Sequence, residues 1–449
     1  MTAVAAGARP ATAAPGIARL ALTSLAASSI EWYDFFIYGT AAALVFPKLF
    51  FAASLPPAVA QLAAFSTFAV GFIARPVGGI VFGHFGDIVG RKRALATALL
   101  MMGLATTGVG LMPSYATIGV AAPIILIVLR FLQGLAVGGQ WGGAALIAIE
   151  NAPAHRKGFF GSFAQMGVPA GVVSANLIFL IMGSIVAPEA FAAWAWRIPF
   201  LLSIALVGLG LYVQLRLEDT AEFKALQAEA EKTKVKRTGS PVLTVLARHP
   251  KELLLAAGSF VAANGTFYVM ITYAVAYTTG TLHLPKTSIL WAVMLGSIIS
   301  APILPLTAAL SDRFGRKGVF LAGAALELAW AFPFFLLLNT GSFAAMVLAL
   351  VGGLGFNSVM YGLQAAMMTE MFSTEFRYSG ASLSYQIGAI CAGGFAPIIS
   401  TALFARYHTA MAISAYMAGL CAISFFSVLF LAETHKREDR RPAEAKAAA

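Results

Sequence analysis

Long apolar stretches alternate with short polar joints along almost the whole chain. Runs of about 18 or more apolar residues are long enough to cross a bilayer as helices. Twelve runs fit that description, at about 20–47, 57–83, 94–112, 119–149, 158–186, 194–215, 251–278, 287–310, 318–338, 342–369, 379–405 and 409–432. The pattern predicts an all-α integral membrane protein with twelve transmembrane helices. The expected division is an N-terminal tail (1–19), a six-helix bundle (20–216), a cytoplasmic linker (217–250), a second six-helix bundle (251–432) and a cytoplasmic tail (433–449).

One polar joint occurs twice. Gly83-His84-Phe85-Gly86-Asp87-Ile88-Val89-Gly90-Arg91-Lys92-Arg93 returns, degraded, as Leu310-Ser311-Asp312-Arg313-Phe314-Gly315-Arg316-Lys317. The shared core is Asp-x-x-Gly-Arg-Lys, and Asp87 and Asp312 stand half a chain apart. Two copies at matching places in two apolar halves indicate a duplicated architecture.

Composition removes the soluble alternatives. With 59% hydrophobic and only 11% charged residues, and a mean hydropathy of +0.82, the chain has too little polar material to clothe a soluble fold of its size. The net charge of +11 would suggest a nucleic-acid partner in a soluble protein. Here it reflects basic joints on one side of a membrane, and no nucleic-acid partner is expected. If both termini face the cytoplasm, that side collects Arg91, Lys92, Arg93, Arg156, Lys157, Arg313, Arg316, Lys317 and Arg377. The other side keeps little beyond Lys48, Lys286, Arg406 and Arg197. Met1 to Gly16 lacks the parts of a signal peptide, and the first apolar run is expected to stay in the mature protein. Cys391 and Cys421 fall in spans and match no metal or redox spacing.

The linker combines Asp219-x-x-Glu222, which can cap a short helix, with a basic stretch from Lys232 to Arg237. A solvated tether between two bundles explains it; contact with a partner or lipid headgroups is the alternative. Glycines recur at small-xxx-small spacing as Gly134, Gly138 and Gly142, as Gly167 and Gly171, and as Gly79 and Gly83. Such stripes let helix backbones approach closely in lipid.

Charges inside the membrane need a reason, because each costs at least about 2.5–3.5 kcal/mol at the bilayer centre. In span 1, Glu31, Asp34 and Tyr38 fall within about 60° of one another on a helix. In span 4, Arg130, Gln133 and Gln140 fall within about 80°. Arg75 precedes Pro76 in span 2. The simplest neutralisation pairs Asp34 or Glu31 with Arg130 and leaves Arg75 facing an aqueous cavity. A desolvated carboxylate beside an arginine takes up a proton when the arginine is drawn away, and a bound anion could draw it. A permanent ion pair that only fixes packing is the alternative. The second half carries Glu327 alone, read as a packing or lumen-edge residue. It also has uncharged polar faces: Asn264, Tyr268 and Thr272; Asn357, Tyr361 and Gln364; Ser382, Tyr385 and Gln386. These suit hydrogen bonds to a hydroxylated or carboxylated solute, or between helices. No metal spacing, no nucleophile with a base and no P-loop is present. The chain is therefore expected to be no enzyme, to use no cofactor and to transport on gradients.

These residues resemble the major facilitator superfamily, and within it the metabolite:proton symporter family. The Gly86-Asp87-x-x-Gly90-Arg91-Lys92 joint is similar to the superfamily's signature between spans 2 and 3. Family-type wording follows in Glu31-Trp32-Tyr33-Asp34-Phe35, Arg75-Pro76-x-Gly78-Gly79, Arg130-x-x-Gln133-Gly134, Gly138-Gly139-Gln140-Trp141-Gly142-Gly143-Ala144, Trp196-Arg197-Ile198-Pro199-Phe200 and Arg377-Tyr378-Ser379-Gly380-Ala381-Ser382. The likeness runs from about Ser29 to Glu433.

The resemblance implies two bundles of inverted repeats and alternating access in a bacterial-type inner membrane. It implies uptake, with protons, of a small and usually carboxylated metabolite. Substrate types in the family include α-ketoglutarate, citrate, shikimate, dicarboxylates and betaine or proline. Carried over by position, Asp34 and Arg130, with Glu31 beside them, would couple the proton. Asp87 and Arg91 would latch the cytoplasmic side, with Asp87 near the start of span 11. Gly86, Gly90 and the second-copy residues Asp312, Gly315 and Arg316 complete that gate. Arg75, Tyr38, Gln133, Gln140 and the polar faces of spans 7, 10 and 11 would bind the solute.

Two departures matter. Gln140 stands where the family usually has Glu, and an amide cannot carry a proton, so a proton-independent facilitator or exporter is the alternative. Ser311 stands where Gly86 stands in the first copy. The short tail argues against the osmosensing betaine/proline branch, and the wording around Arg75 and Asp87 is closest to shikimate-type members. Nothing in the sequence requires more than a monomer.

Overall fold

A computed structural model describes residues 17–89, 91–150, 152–216, 250–372 and 377–434. The side chains of Gly86, Asp87, Arg91, Gln140 and Arg377 lie outside that description, as do the tails and most of the linker. Among the described residues, twelve helical spans carry the chain. In the first half they are α1 (Ile17–Leu44), α2 (Pro57–Val89), α3 (Arg91–Leu111), α4 (Ala121–Glu150), α5 (Lys157–Gln165 continuing as Gly167–Ile185) and α6 (Ile198–Arg216). In the second half, α7 runs over Pro250–Tyr268, a wide turn at Val269–Tyr273 and Ala274–Gly280, and α8 over Lys286–Ser300 and Ile303–Phe314. Then come α9 (Arg316–Asn339), α10 (Phe343–Met371), α11 (Arg377–Gly388, a wide turn at Ala389–Gly394, then Ala396–Tyr407) and α12 (Met411–Leu429).

The duplicated joint is tighter than its sequence suggests. The expected break after residue 83 does not occur, and helix continues to Val89. In the second copy the whole joint is one residue. Gly315, at φ +100° and ψ 156°, caps α8 and opens α9. A side chain rarely adopts that conformation, so glycine is required there.

The packing repeats between halves. Within the first half α1 packs on α5, α2 on α4 and α3 on α6; in the second, α7 packs on α11, α8 on α10 and α9 on α12. The halves meet where α5 lies along α8 and α2 along α11. This is a two-bundle architecture. Nine described helices are individually long and apolar enough to cross a membrane. Ile80, Leu306 and Leu336 project from them as exposed apolar side chains, as lipid contact requires.

The glycine stripes serve the α2–α4 contact directly. A Cβ on Gly138 would stand 1.9 Å from the Arg75 carbonyl, and one on Gly134 2.2 Å from the Gly71 carbonyl. Backbone meets backbone there, which places the arginines of α2 and α4 side by side.

Candidate functional site

The centre of the molecule is an aromatic nest holding two buried guanidiniums. Arg75 and Arg130 are both fully buried. Both lie over the Phe35 ring, with Arg75 Cζ 4.5 Å and Arg130 Cζ 4.3 Å from its centroid. Arg75 also faces Phe72 at 4.3 Å, and Arg130 faces Tyr38 at 4.1 Å and Phe68 at 4.8 Å. Stacking on ring faces eases the burial of a guanidinium without consuming its N–H donors.

The two arginines differ in how they are satisfied. Arg130 Nη1 donates to Gln133 Oε1 at 3.0 Å, and Gln133 Nε2 donates to Thr106 Oγ1 at 2.8 Å. None of the three Arg75 nitrogens has a hydrogen-bond partner. The Tyr268 and Tyr385 phenols approach it from the second half, short of hydrogen-bond geometry, and Glu31 is its carboxylate neighbour. Arg75 was expected to face an aqueous cavity. In this conformation Trp32, Phe35 and Phe72 cover it, because a desolvated cation in an apolar bundle takes aromatic faces when water is absent.

The expected pairing of Asp34 or Glu31 with Arg130 is also absent here. Asp34 is buried, both its oxygens lack a hydrogen-bond partner, and no ion pair joins it to Arg130. Its neighbour is Ser203 of α6, again short of a hydrogen bond. The side chains at 34 and 35 diverge along α1: Phe35 takes the face towards Arg130, and Asp34 turns into the α1–α6 seam. Tyr38 gives its hydroxyl to Thr67 Oγ1 at 2.7 Å inside the first bundle.

A small cavity of about 250 Å³, its mouth included, lies between the halves. Trp32, Asn264, Tyr268, Asn357, Tyr361 and Tyr385 give it a polar-aromatic lining. Five of these were expected from the sequence; Trp32 was not, although it sits in the quoted span-1 wording. Gln364 and Gln386 do not line it. Gln364 Nε2 donates to the Ser259 carbonyl at 2.9 Å, while its Oε1 and both amide atoms of Gln386 lack partners. Gln133 belongs to the Arg130 network, and Gln140 falls outside the described side chains.

The second copy of the duplicated joint ties the two halves together at one end. Asp312 accepts hydrogen bonds from the Gly158 and Phe159 amides at the start of α5, both at 2.9 Å. A carboxylate on a helix N-terminus is a favourable pairing, and this one joins the two halves. Arg316 backs it, pairing with Asp312 at 2.7 Å and with both oxygens of Glu370 at 2.8 and 3.2 Å. Ser311 Oγ accepts from Arg316 Nη1 at 2.6 Å, so the departure from glycine in this copy supplies a partner to Arg316. Glu433 accepts from the Arg316 and Lys317 amides at 3.0 and 3.2 Å, capping α9. Glu370 and Glu433 lie far from the motif in sequence, and only folding brings them to it. The first-copy latch of Gly86, Asp87, Gly90 and Arg91 lies outside the described side chains. At the opposite end Lys286 Nζ sits 3.7 Å over the Phe191 ring, so the halves touch there too.

Residues 20–245 match the family profile described as Sugar (and other) transporter, and residues 255–449 match that of the Major Facilitator Superfamily. The shikimate transporter of Escherichia coli is 39% identical over 427 residues, which cover 93% of this chain and 95% of that protein. The chain belongs to the major facilitator superfamily. A second relative of this superfamily member, the inner membrane metabolite transport protein YhjE of Escherichia coli, is 38% identical over 421 residues, with 93% and 94% of the two chains covered. The partially occluded inward-open structure of the Escherichia coli xylose transporter XylE superposes with a TM-score of 0.73, covering 93% of this chain and 98% of that one. At 16% identity it shows the shared fold. Membership makes the protein a multi-pass inner-membrane transporter and not an enzyme.

Proposed function

We propose that this superfamily member imports a small carboxylated metabolite together with protons by alternating access. One observation carries the reading: Arg75 is fully buried between the two halves, with none of its nitrogens hydrogen-bonded. Buried donors in a membrane interior are otherwise paired, and a guanidinium matches a carboxylate with two parallel bonds. A second cation, Arg130, stands on the same ring, so the nest carries positive potential for an anion. The hydroxyl and amide groups lining the cavity suit a hydroxylated acid. A relative named as a shikimate transporter supports that class, since shikimate carries one carboxylate and several hydroxyls.

Two carboxyl groups serve the coupling. Glu31 neighbours Arg75, so it competes with the solute for that cation, and a proton on Glu31 releases Arg75 to the solute. Asp34 is buried with no donor and no cation, so a proton is its available compensation. Arg130 holds the positive field of the nest in place through Gln133 and Thr106.

The test is uptake of labelled shikimate and α-ketoglutarate into proteoliposomes with and without an inward proton gradient. Accumulation that collapses with the gradient supports symport. Asp34→Asn then keeps exchange and loses accumulation. Equilibration indifferent to the gradient refutes coupling and favours the proton-independent facilitator that Gln140 suggests.

A further inference from the structure

Glu327 is the charged residue of the second bundle that the coupling scheme leaves unused. It lies mid-way along α9 and is buried to 1% exposure. The groups facing it are Thr266 from α7, Asn357 from α10 and the Cys421 thiol from α12. The charged residues of the helices packed around it are Lys251 and Glu252 on α7, Lys286, Asp312 and Arg313 on α8, Arg316 and Lys317 on α9 and Glu370 on α10. All stand at helix ends, and none pairs with it.

The hydrogen-bond geometry asks for one more proton. The Thr266 hydroxyl contacts the Ala262 carbonyl at 2.8 Å and also Glu327 Oε1. A hydroxyl has one proton and cannot donate to both. A proton on Glu327 Oε1 donated to Thr266 Oγ1 completes the set, and among the described residues no cation is present to do so instead. The other oxygen, Oε2, has no partner.

The same cluster reaches the solute cavity. Asn357 Nδ2 donates to the Ala263 carbonyl at 3.1 Å, with Thr266 Oγ1 at 3.2 Å and Glu327 Oε1 at 3.4 Å also within reach. All three contacts engage the amide nitrogen and none the Asn357 carbonyl oxygen, in a residue that lines the cavity. An ionised Glu327 would draw the amide group more strongly than a neutral one and tilt that carbonyl. The state of Glu327 is thus readable at the solute.

We propose that Glu327 is a proton-binding site of the transport cycle, in the second bundle, linked to the solute through Asn357. The carboxylate takes a proton from the outer aqueous phase and returns it to the inner one, with no other bond made or broken. This deepens the symport reading and rests on it.

Two measurements test it, and the first needs no solute. Infrared difference spectra between acidic and alkaline buffer are recorded on wild type and Glu327→Gln in lipid. A carboxylic-acid carbonyl band that titrates in wild type and is missing from the variant is the expected result. Identical difference spectra would overturn the proposal. Should the glutamine variant fail to fold, Glu327→Asp serves in its place, and the band must then shift. The second measurement is gradient-driven accumulation of labelled shikimate with the membrane potential clamped. At one pH unit, each proton carried multiplies the limiting ratio by about ten, so Glu327→Gln should lower it about tenfold while exchange persists. An unchanged ratio would refute a transported proton at Glu327. Wild type that ignores the gradient would instead defeat the symport reading, and the infrared result would still decide whether Glu327 binds a proton.

Discussion

Replacing Asp312 with asparagine should open the cytoplasmic side of the transporter. The carboxylate holds two amides of α5, each at 2.9 Å, and these bonds exist only while the cytoplasmic ends of the halves are together. Asparagine keeps one acceptor oxygen and turns an NH2 towards the other amide. One charge-assisted hydrogen bond, at about 1.5–3 kcal/mol, is lost. So is the anion on the helix N-terminus, worth about 0.3–1 kcal/mol. The Asp312 side chain is 7% exposed, which trims both terms by screening. A net of about 2–3 kcal/mol remains, a shift of about 30- to 150-fold towards the inward-open state. Spin labels on His155→Cys and Arg313→Cys, both exposed at that end, report the separation by pulsed electron resonance on a Cys391→Ala background. The expected result is a new population at longer distance in Asp312→Asn. Glu370→Gln is the control: its ion pair with Arg316 lies within the second bundle, so it should lower stability without adding that population. Superimposable wild-type and Asp312→Asn distributions would refute the assignment of the latch.

Other consequences are equally direct. Arg75→Lys keeps the charge but loses the fork, and should raise KM for the transported acid by about 10- to 100-fold, read from initial rates; unchanged low-concentration uptake would remove Arg75 from the anion site. Gly138→Ala puts a Cβ 1.9 Å from the Arg75 carbonyl, which no side-chain movement relieves, so it should cost about 1–3 kcal/mol or more. A thermal-shift assay by detergent size-exclusion chromatography reads it, with no change in Tm as the contrary outcome. Gly315→Ala combines φ of +100° with a Cβ 2.7 Å from Glu433 Oε2, and should lower stability by about 1–3 kcal/mol in the same assay.

The twelve spans, the duplication and the membrane setting were legible in the sequence because they follow from local rules. A bilayer demands long apolar helices, and its interior makes every charge conspicuous, so Glu31, Asp34, Arg75, Arg130 and Glu327 could be picked out one by one. Helical periodicity also found most of the cavity lining, since Asn264 and Tyr268, or Asn357 and Tyr361, share a face four residues apart.

What periodicity could not decide is which charge meets which. Glu31 and Asp34 lie on one side of the same helix, yet the structure turns one towards Arg75 and the other towards Ser203 on α6. That choice is made by neighbours remote in sequence: Phe35 takes the place beside Arg130, and the glycine contact of α2 with α4 brings the two arginines to one ring. The latch shows the same limit. Asp312 and Arg316 announce themselves in a repeated motif, while the α5 amides, Glu370 and Glu433 reach them only through folding. The sequence by itself determined the helices, their membrane setting and the residues that charge burial makes costly. Tertiary packing decided the partners of those residues, because the energy of a buried charge depends on what stands within a few ångströms of it in space.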